Sequence, residues 1–227
     1  MIMQQSCCCI LSDFAVLTVS GTDAARFLQG QLTCDVDQPS PQSGAYCDRK
    51  GRVLCNFELL QQDDVFHLIM PGSIIAACHE TLSKFGLFSK VTIEINNTLL
   101  LVAITNANAS PAEIQLIPTE QIHDRWHTLT QQHSPVGLDA WQYWLIQQQR
   151  LYIEPATSLR FLPQMLNLNH ALSFQKGCYL GQEIVARTQH LGKLKKRLVT
   201  MTLETECKPG DALSDSTDDT LISISAD

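Results

Sequence analysis

The sequence has no C-x-x-C pair, no apolar run longer than Leu99–Ile104 and no excess of basic residues. Each shortage excludes something. A membrane-spanning helix needs about 20 consecutive apolar residues, so none is expected. A formal net charge of −7 means that the surface as a whole does not advertise nucleic-acid binding. The first fourteen residues, MIMQQSCCCILSDF, contain no Lys or Arg and make a poor signal peptide. The expectation is therefore a cytoplasmic protein. Nine cysteines do not contradict it, because the count is odd and Cys7, Cys8 and Cys9 are adjacent, which suits no disulfide framework. Cys34, Cys47, Cys55, Cys78 and Cys207 read as small buried apolar side chains. The scattered histidines and cysteines offer no converging ligand set, and no metal site is expected.

What is present is enough apolar residue, 44% of 227, for one large core or two modest ones. Asp13–Val19 reads as a strand running into Gly21, with Thr22 as N-cap of a short helix over Ala24–Gln29 that Gly30 stops. Gly44–Cys47 and Arg52–Leu60 make a hairpin about the turn Asp48–Gly51. Val65–Met70 is a third strand. Residues 73–85 carry helical periodicity, with Gly86 as the stop. Strands follow at 90–95 and 99–104, and helices at 119–131 and 139–149, the latter with an apolar stripe of Trp141, Trp144 and Leu145. Leu198–Leu203 reads as a last strand before an acidic tail. Alternation without regular βαβ spacing points to an α+β fold with antiparallel sheets.

The chemistry concentrates in Phe174–Arg187. Two glycines make a loop that leads into a helix over Gln182–Arg187, with Glu183 in its first turn. Cys178 lies just upstream of that helix and two residues from Lys176. Both neighbours favour a thiolate if the thiol faces the helix end. The plainer alternative is a tight loop in which a cysteine merely fits.

Lys176–Glu183, K-G-C-Y-L-G-Q-E, resembles the K-G-C-Y-x-G-Q-E signature of the YgfZ family, whose members are folate-binding and related to iron–sulfur enzymes. Three further segments agree with it. F-L-Q-G-Q-L-T (Phe27–Thr33) and the D-x-K-G-R hairpin (Asp48–Arg52) are shared with the wider aminomethyltransferase superfamily, and F-x-P-Q-x-x-N-L (Phe161–Leu168) leads towards the signature. The resemblance implies the fold of the glycine-cleavage aminomethyltransferase. That fold has a folate-binding body, here residues 1–194, and a C-terminal β-barrel, of which 195–227 would be a truncated remnant. It implies tetrahydrofolate as cofactor, with Phe14 and Trp141 against its rings. Cys178 and Lys176 would be the working pair, and Tyr179, Gln182, Glu183 and Arg187 would be cofactor contacts. As partners it implies iron–sulfur enzymes such as those that thiolate tRNA. The basic stretch Lys193, Lys195, Lys196 and Arg197 would meet tRNA or the folate glutamate tail, with no membrane contact, and the chain is expected to be a monomer.

One departure bears on activity. Aminomethyltransferases carry a carboxylate pair in the strand after the hairpin, where this chain has Cys55-Asn56. A neutral pair supplies no general base. The expectation is thus an accessory factor. The alternative, a folate-dependent one-carbon transferase or demethylase, would have to draw on Asp48 or Glu58. A scaffold that kept the fold and lost the ligand is the third reading.

Overall fold

The computed structural model describes residues 6–105, 112–192, 194, 196–202 and 207–211. Two antiparallel-dominated sheets organise it. The first has five strands in the order β3-β4-β5-β2-β6, namely β2 (Phe14–Ser20), β3 (Gln42–Cys47), β4 (Val53–Gln62), β5 (Val65–Pro71) and β6 (Thr92–Asn96). The second has four in the order β8-β7-β1-β9: β1 (Cys7–Ile10), β7 (Leu99–Thr105), β8 (Glu113–Pro118) and β9 (Ser134–Pro135). The helices are α1 (Ala24–Gln29), α2 (Gly72–Gly86), α3 (Ile122–Gln132), α4 (Leu138–Gln147) and α5 (Gln182–Leu191).

The period-two alternation of strands distributes the side chains. In β4, Cys55, Phe57 and Leu59 face the core under α1 and α2, with Leu28, Met70, Cys78 and Leu82. Asn56 and Glu58 face the opposite way, towards residues 150–153. The other face of the five-stranded sheet gives Val16 and Ile69 to a core shared with the second sheet and α4, where Trp141, Trp144 and Leu145 pack. In β1, Cys9 joins that core while Cys8 turns to the one under α3, beside Val102 and Leu129.

Several expectations need correction. Cys7–Ile10, which the sequence pattern left unassigned, is a central strand of the second sheet. The cap of α1 is Asp23 rather than Thr22, and the Asp23 carboxylate accepts the Lys90 backbone N–H at 2.9 Å instead of capping its own helix. Residues 198–202 form no strand, and no barrel closes among the described residues. Leu198 packs on the core beside Ile153 and Phe161, but Val199 and Met201 are 68% and 56% exposed and the stretch finds no pairing strand. Cys34, Cys47, Cys55 and Cys78 are buried as expected, but Cys207 is only half-buried. His123 and His127 stand one turn apart on α3, yet no three metal-binding side chains converge among the described residues. Nor is any described helix long and apolar enough to cross a membrane.

Candidate functional site: a pinned thiol loop and a polar cleft

Three segments singled out in the sequence meet in space. Thr33, at the end of the F-L-Q-G-Q-L-T segment, gives its hydroxyl to the Ala171 carbonyl at 2.6 Å and accepts the Ala45 N–H at 2.9 Å. Its own carbonyl accepts the Ser173 N–H at 2.9 Å, and the Leu180 N–H reaches the Gly30 carbonyl at 3.3 Å. The hairpin turn is held by Asp48, whose carboxylate accepts the N–H groups of Lys50 at 2.8 Å and Arg52 at 2.9 Å. Gly51 and Gly181 then pack backbone to backbone, which brings the turn against the start of α5.

Lys176 closes the arrangement. Its ammonium donates to the carbonyls of Leu32 at 2.8 Å and Cys34 at 2.7 Å, and lies 5.4 Å from the centre of the Tyr179 ring. Burial lowers its pKa to about 8, against the pull of the Cys34 thiol and of Asp35 and Asp37. Tyr179 is buried under it, with a hydroxyl that finds no partner among the described residues. Between these two anchors the chain bulges outward, and Cys178 is the exposed thiol among the nine cysteines, none of which forms a disulfide. On α5, Gln182 is half-buried, while Arg187 and Glu183 are exposed and pair with each other at 3.0 Å. Such an exposed pair adds about 0.3–0.5 kcal/mol at most to the helix. Lys196 is half-buried and Arg197 exposed; Lys193 and Lys195 lie outside the described residues.

Phe14 and Trp141 belong elsewhere. Both sit in the core between the sheets, Trp141 2% exposed and stacked on Trp144 at 5.1 Å. Phe14 is half-buried and meets the Tyr152 ring edge-on at 4.8 Å. Tyr152 in turn lines a narrow cleft between β4 and the 150–170 segment, together with Ser43, Glu58, Arg150, Leu168 and His170. Neither Phe14, Trp141 nor any residue of 174–187 lines it. Inside, the Ser43 hydroxyl donates to the Glu58 carboxylate, which burial pushes above the ordinary carboxyl range despite Arg150 at 3.6 Å. Sequence reasoning weighed Glu58 only as a spare base. Its one signal was that it is the charged residue of an otherwise uncharged strand, β4.

Asn56, where the aminomethyltransferase pattern has a carboxylate, is fully engaged. Its amide nitrogen donates to the Leu151 carbonyl and its oxygen accepts the Ile153 N–H, each at 2.8 Å. It clamps a backbone segment and has no proton to trade.

The roles of Lys176 and Cys178 can be separated by alkylation kinetics. In the native protein Cys178 is expected to react first, the buried thiols only through opening reactions. A Lys176→Met chain is expected to label at Cys178 at least as fast as wild type and to be cut more readily by protease at 174–178. Labelling about tenfold slower would instead identify the ammonium as a thiolate stabiliser.

No protein-family model matches the sequence. A solved glycine cleavage system aminomethyltransferase T from Bartonella henselae superposes with a TM-score of 0.69 over 83% of this chain, at 13% identity. The chain spans 64% of that protein's length, and the likeness establishes the α+β fold with antiparallel sheets. Curated sequence relatives are nearer. The tRNA-modifying protein YgfZ of Photobacterium profundum is 31% identical over 92% of this chain and 74% of its own length. That of Escherichia fergusonii is 32% identical over 83% of this chain and 69% of its own. With that of Colwellia psychrerythraea the identity rises to 34% over an alignment that covers 86% of this chain and 71% of the relative, and the chain belongs to the YgfZ family.

Proposed function

We propose that this chain is a folate-binding accessory factor in tRNA modification, acting through iron–sulfur enzymes by means of the Cys178 thiol. The carrying observation is the exposure of Cys178 in a loop fixed by Lys176 while the other thiols are buried or half-buried. A fixed, accessible thiol suits transient covalent or ligand contact with a partner, whereas a buried one does not. The names of the relatives support the link to tRNA, and the likeness to aminomethyltransferase T supports tetrahydrofolate as cofactor, held by residues 1–194.

When bound, tetrahydrofolate supplies a reduced pterin with one-carbon chemistry at its nitrogens. This chain's residues suit holding such a molecule better than transferring an aminomethyl group, since Asn56 is committed to backbone and cannot act as a base. The polar groups that fit a pterin line the Glu58 cleft. As the side chains stand, however, that cleft has room for about one water and none for a ring, and Arg150 over it is only 17% exposed. Arg187, Lys196 and Arg197 remain the cations suited to a glutamate tail or tRNA phosphates.

Two measurements test the two halves. Cys178→Ala is expected to fail to restore iron–sulfur enzyme activity and tRNA thiolation in a strain lacking the protein. Full restoration would remove the thiol from the mechanism. Calorimetry is expected to show tetrahydrofolate binding at micromolar concentration, and the absence of heat at high ligand concentration would remove the folate.

A further inference from the structure

The turn after α2 breaks the usual composition of turns. The Ser89 N–H donates to the Gly86 carbonyl at 2.9 Å, which puts Leu87 and Phe88 at the two central positions. Glycine, proline, asparagine, aspartate and serine dominate such positions. Leu87 is instead 75% exposed and Phe88 100% exposed, and Phe85, on the last turn of α2, is exposed beside them. A local rule broken with no gain to the fold points to function.

The turn is also built to hold still. A Cβ on Gly86 would stand 3.1 Å from Val91 and 3.3 Å from Ile93, so the turn sits hard against the start of β6. Asp23 clasps the exit: its carboxylate accepts the Lys90 N–H at 2.9 Å, and its own N–H donates to the Lys90 carbonyl at 3.3 Å. Side chains carried on a fixed turn lose little freedom when they bind. Asp23 also begins α1, whose far end offers the Gly30 carbonyl to the Leu180 N–H of the thiol loop. The apolar turn and the thiol loop thus hang on opposite ends of one helix about 9 Å long. One protein partner can reach both.

Charge and area say what covers the turn. Lys84 and Arg26 have acidic partners, Glu80 at 2.7 Å and Asp23 at 3.5 Å, and exposed Lys90 tips the local balance to positive. The chain as a whole carries −7 and is repelled by an anionic bilayer. Leu87, Phe88 and Phe85 offer on the order of 400 Å², well short of the roughly 800 Å² per copy that a stable dimer buries. We propose that Leu87 and Phe88 anchor a protein client, filling an apolar pocket rimmed by carboxylates that meet Lys84 and Lys90. The inference deepens the accessory-factor reading and rests on it for the class of client, an iron–sulfur enzyme that thiolates tRNA.

The test is a Leu87→Ser/Phe88→Ser double variant, measured for binding to a purified tRNA-thiolating iron–sulfur enzyme and for rescue of the strain lacking the protein. It is expected to melt, and to alkylate at Cys178, as wild type does, because both side chains lie in solvent. Its affinity for the enzyme should fall tenfold or more, and tRNA thiolation should not recover. Lys84→Glu/Lys90→Glu should weaken binding more at low salt than at high salt. Unchanged affinity and full recovery with the serine variant overturn the anchor and leave the thiol reading standing. If Cys178→Ala recovers fully while the serine variant does not, the thiol reading falls and the anchor stands. Phosphatidylglycerol vesicles or a wild-type dimer that the serine variant alone fails to bind or form, with enzyme affinity unchanged, assign the turn to a membrane or a second copy and overturn the client. A wild-type chain that binds no such enzyme overturns both.

Discussion

Gly181→Ala is expected to lower the melting temperature by roughly 6–12 °C, a loss of about 3 kcal/mol in a chain of this size. Two costs add at this position. Gly181 has φ of 84°, the left-handed region that glycine enters freely and a residue with a Cβ enters at about 1–2 kcal/mol. A Cβ there would also stand 2.3 Å from the Asp48 carbonyl oxygen and 3.0 Å from the Gly51 Cα. Both are backbone atoms of a turn held by Asp48, so relief means parting the hairpin from the start of α5. The damage reaches the thiol loop, and Cys178 is expected to lose its distinct alkylation rate. Gly177→Ala is the control within the same loop: a Cβ meets nothing within 4 Å there, and stability should hold within about 0.5 kcal/mol. Equal melting temperatures for Gly181→Ala and wild type would show that the turn and helix do not depend on this contact.

Trp141→Ala is expected to cost about 3–5 kcal/mol, the usual range for deleting a buried indole. Trp141 stacks on Trp144 with planes at 21° and fills the space between the two sheets with Val16, Ile69 and Leu101. Tetrahydrofolate binding should fall with it, but through lost structure. Trp141→Phe separates the two effects, because it keeps an aromatic body in the core while removing an indole N–H that has no partner among the described residues. That variant is expected to retain folding and most of the folate affinity. If Trp141→Phe folds normally yet binds no folate, Trp141 touches the ligand after all.

The strands β2, β4, β5 and β7 and the helices α2 and α4 were legible because each is an apolar-rich run of the right length, the helices with a period, bounded by turn or stop residues. Gly30 and Gly86 were legible as stops for the same local reason. Apart from β7, the second sheet was not. Cys7–Ile10 is apolar throughout because it is covered on both sides, and a short unbroken apolar run carries no period. Residues 150–181 carry little regular structure, so neither propensity nor pattern could place them. Their positions come from long-range hydrogen bonds such as Asn56 to Leu151. The loop around Cys178 was found through its motif, whereas Glu58 was undervalued because strand register, which no motif records, sets it opposite Ser43. The expected closeness of Lys176 to Cys178 in sequence also misdirected: the ammonium faces carbonyls contributed by residues more than a hundred positions earlier.

The bond from Lys176 to the Leu32 carbonyl joins residues 144 apart. During synthesis the early segment emerges long before its late partner exists. A nascent or prematurely ended chain therefore carries the carbonyls but has nothing to dock on them, and a fragment holding only the later residues has a thiol on a slack tether. Presentation of the sulfur thus reports completion of the body, and half-made copies are unable to hold it in the finished geometry.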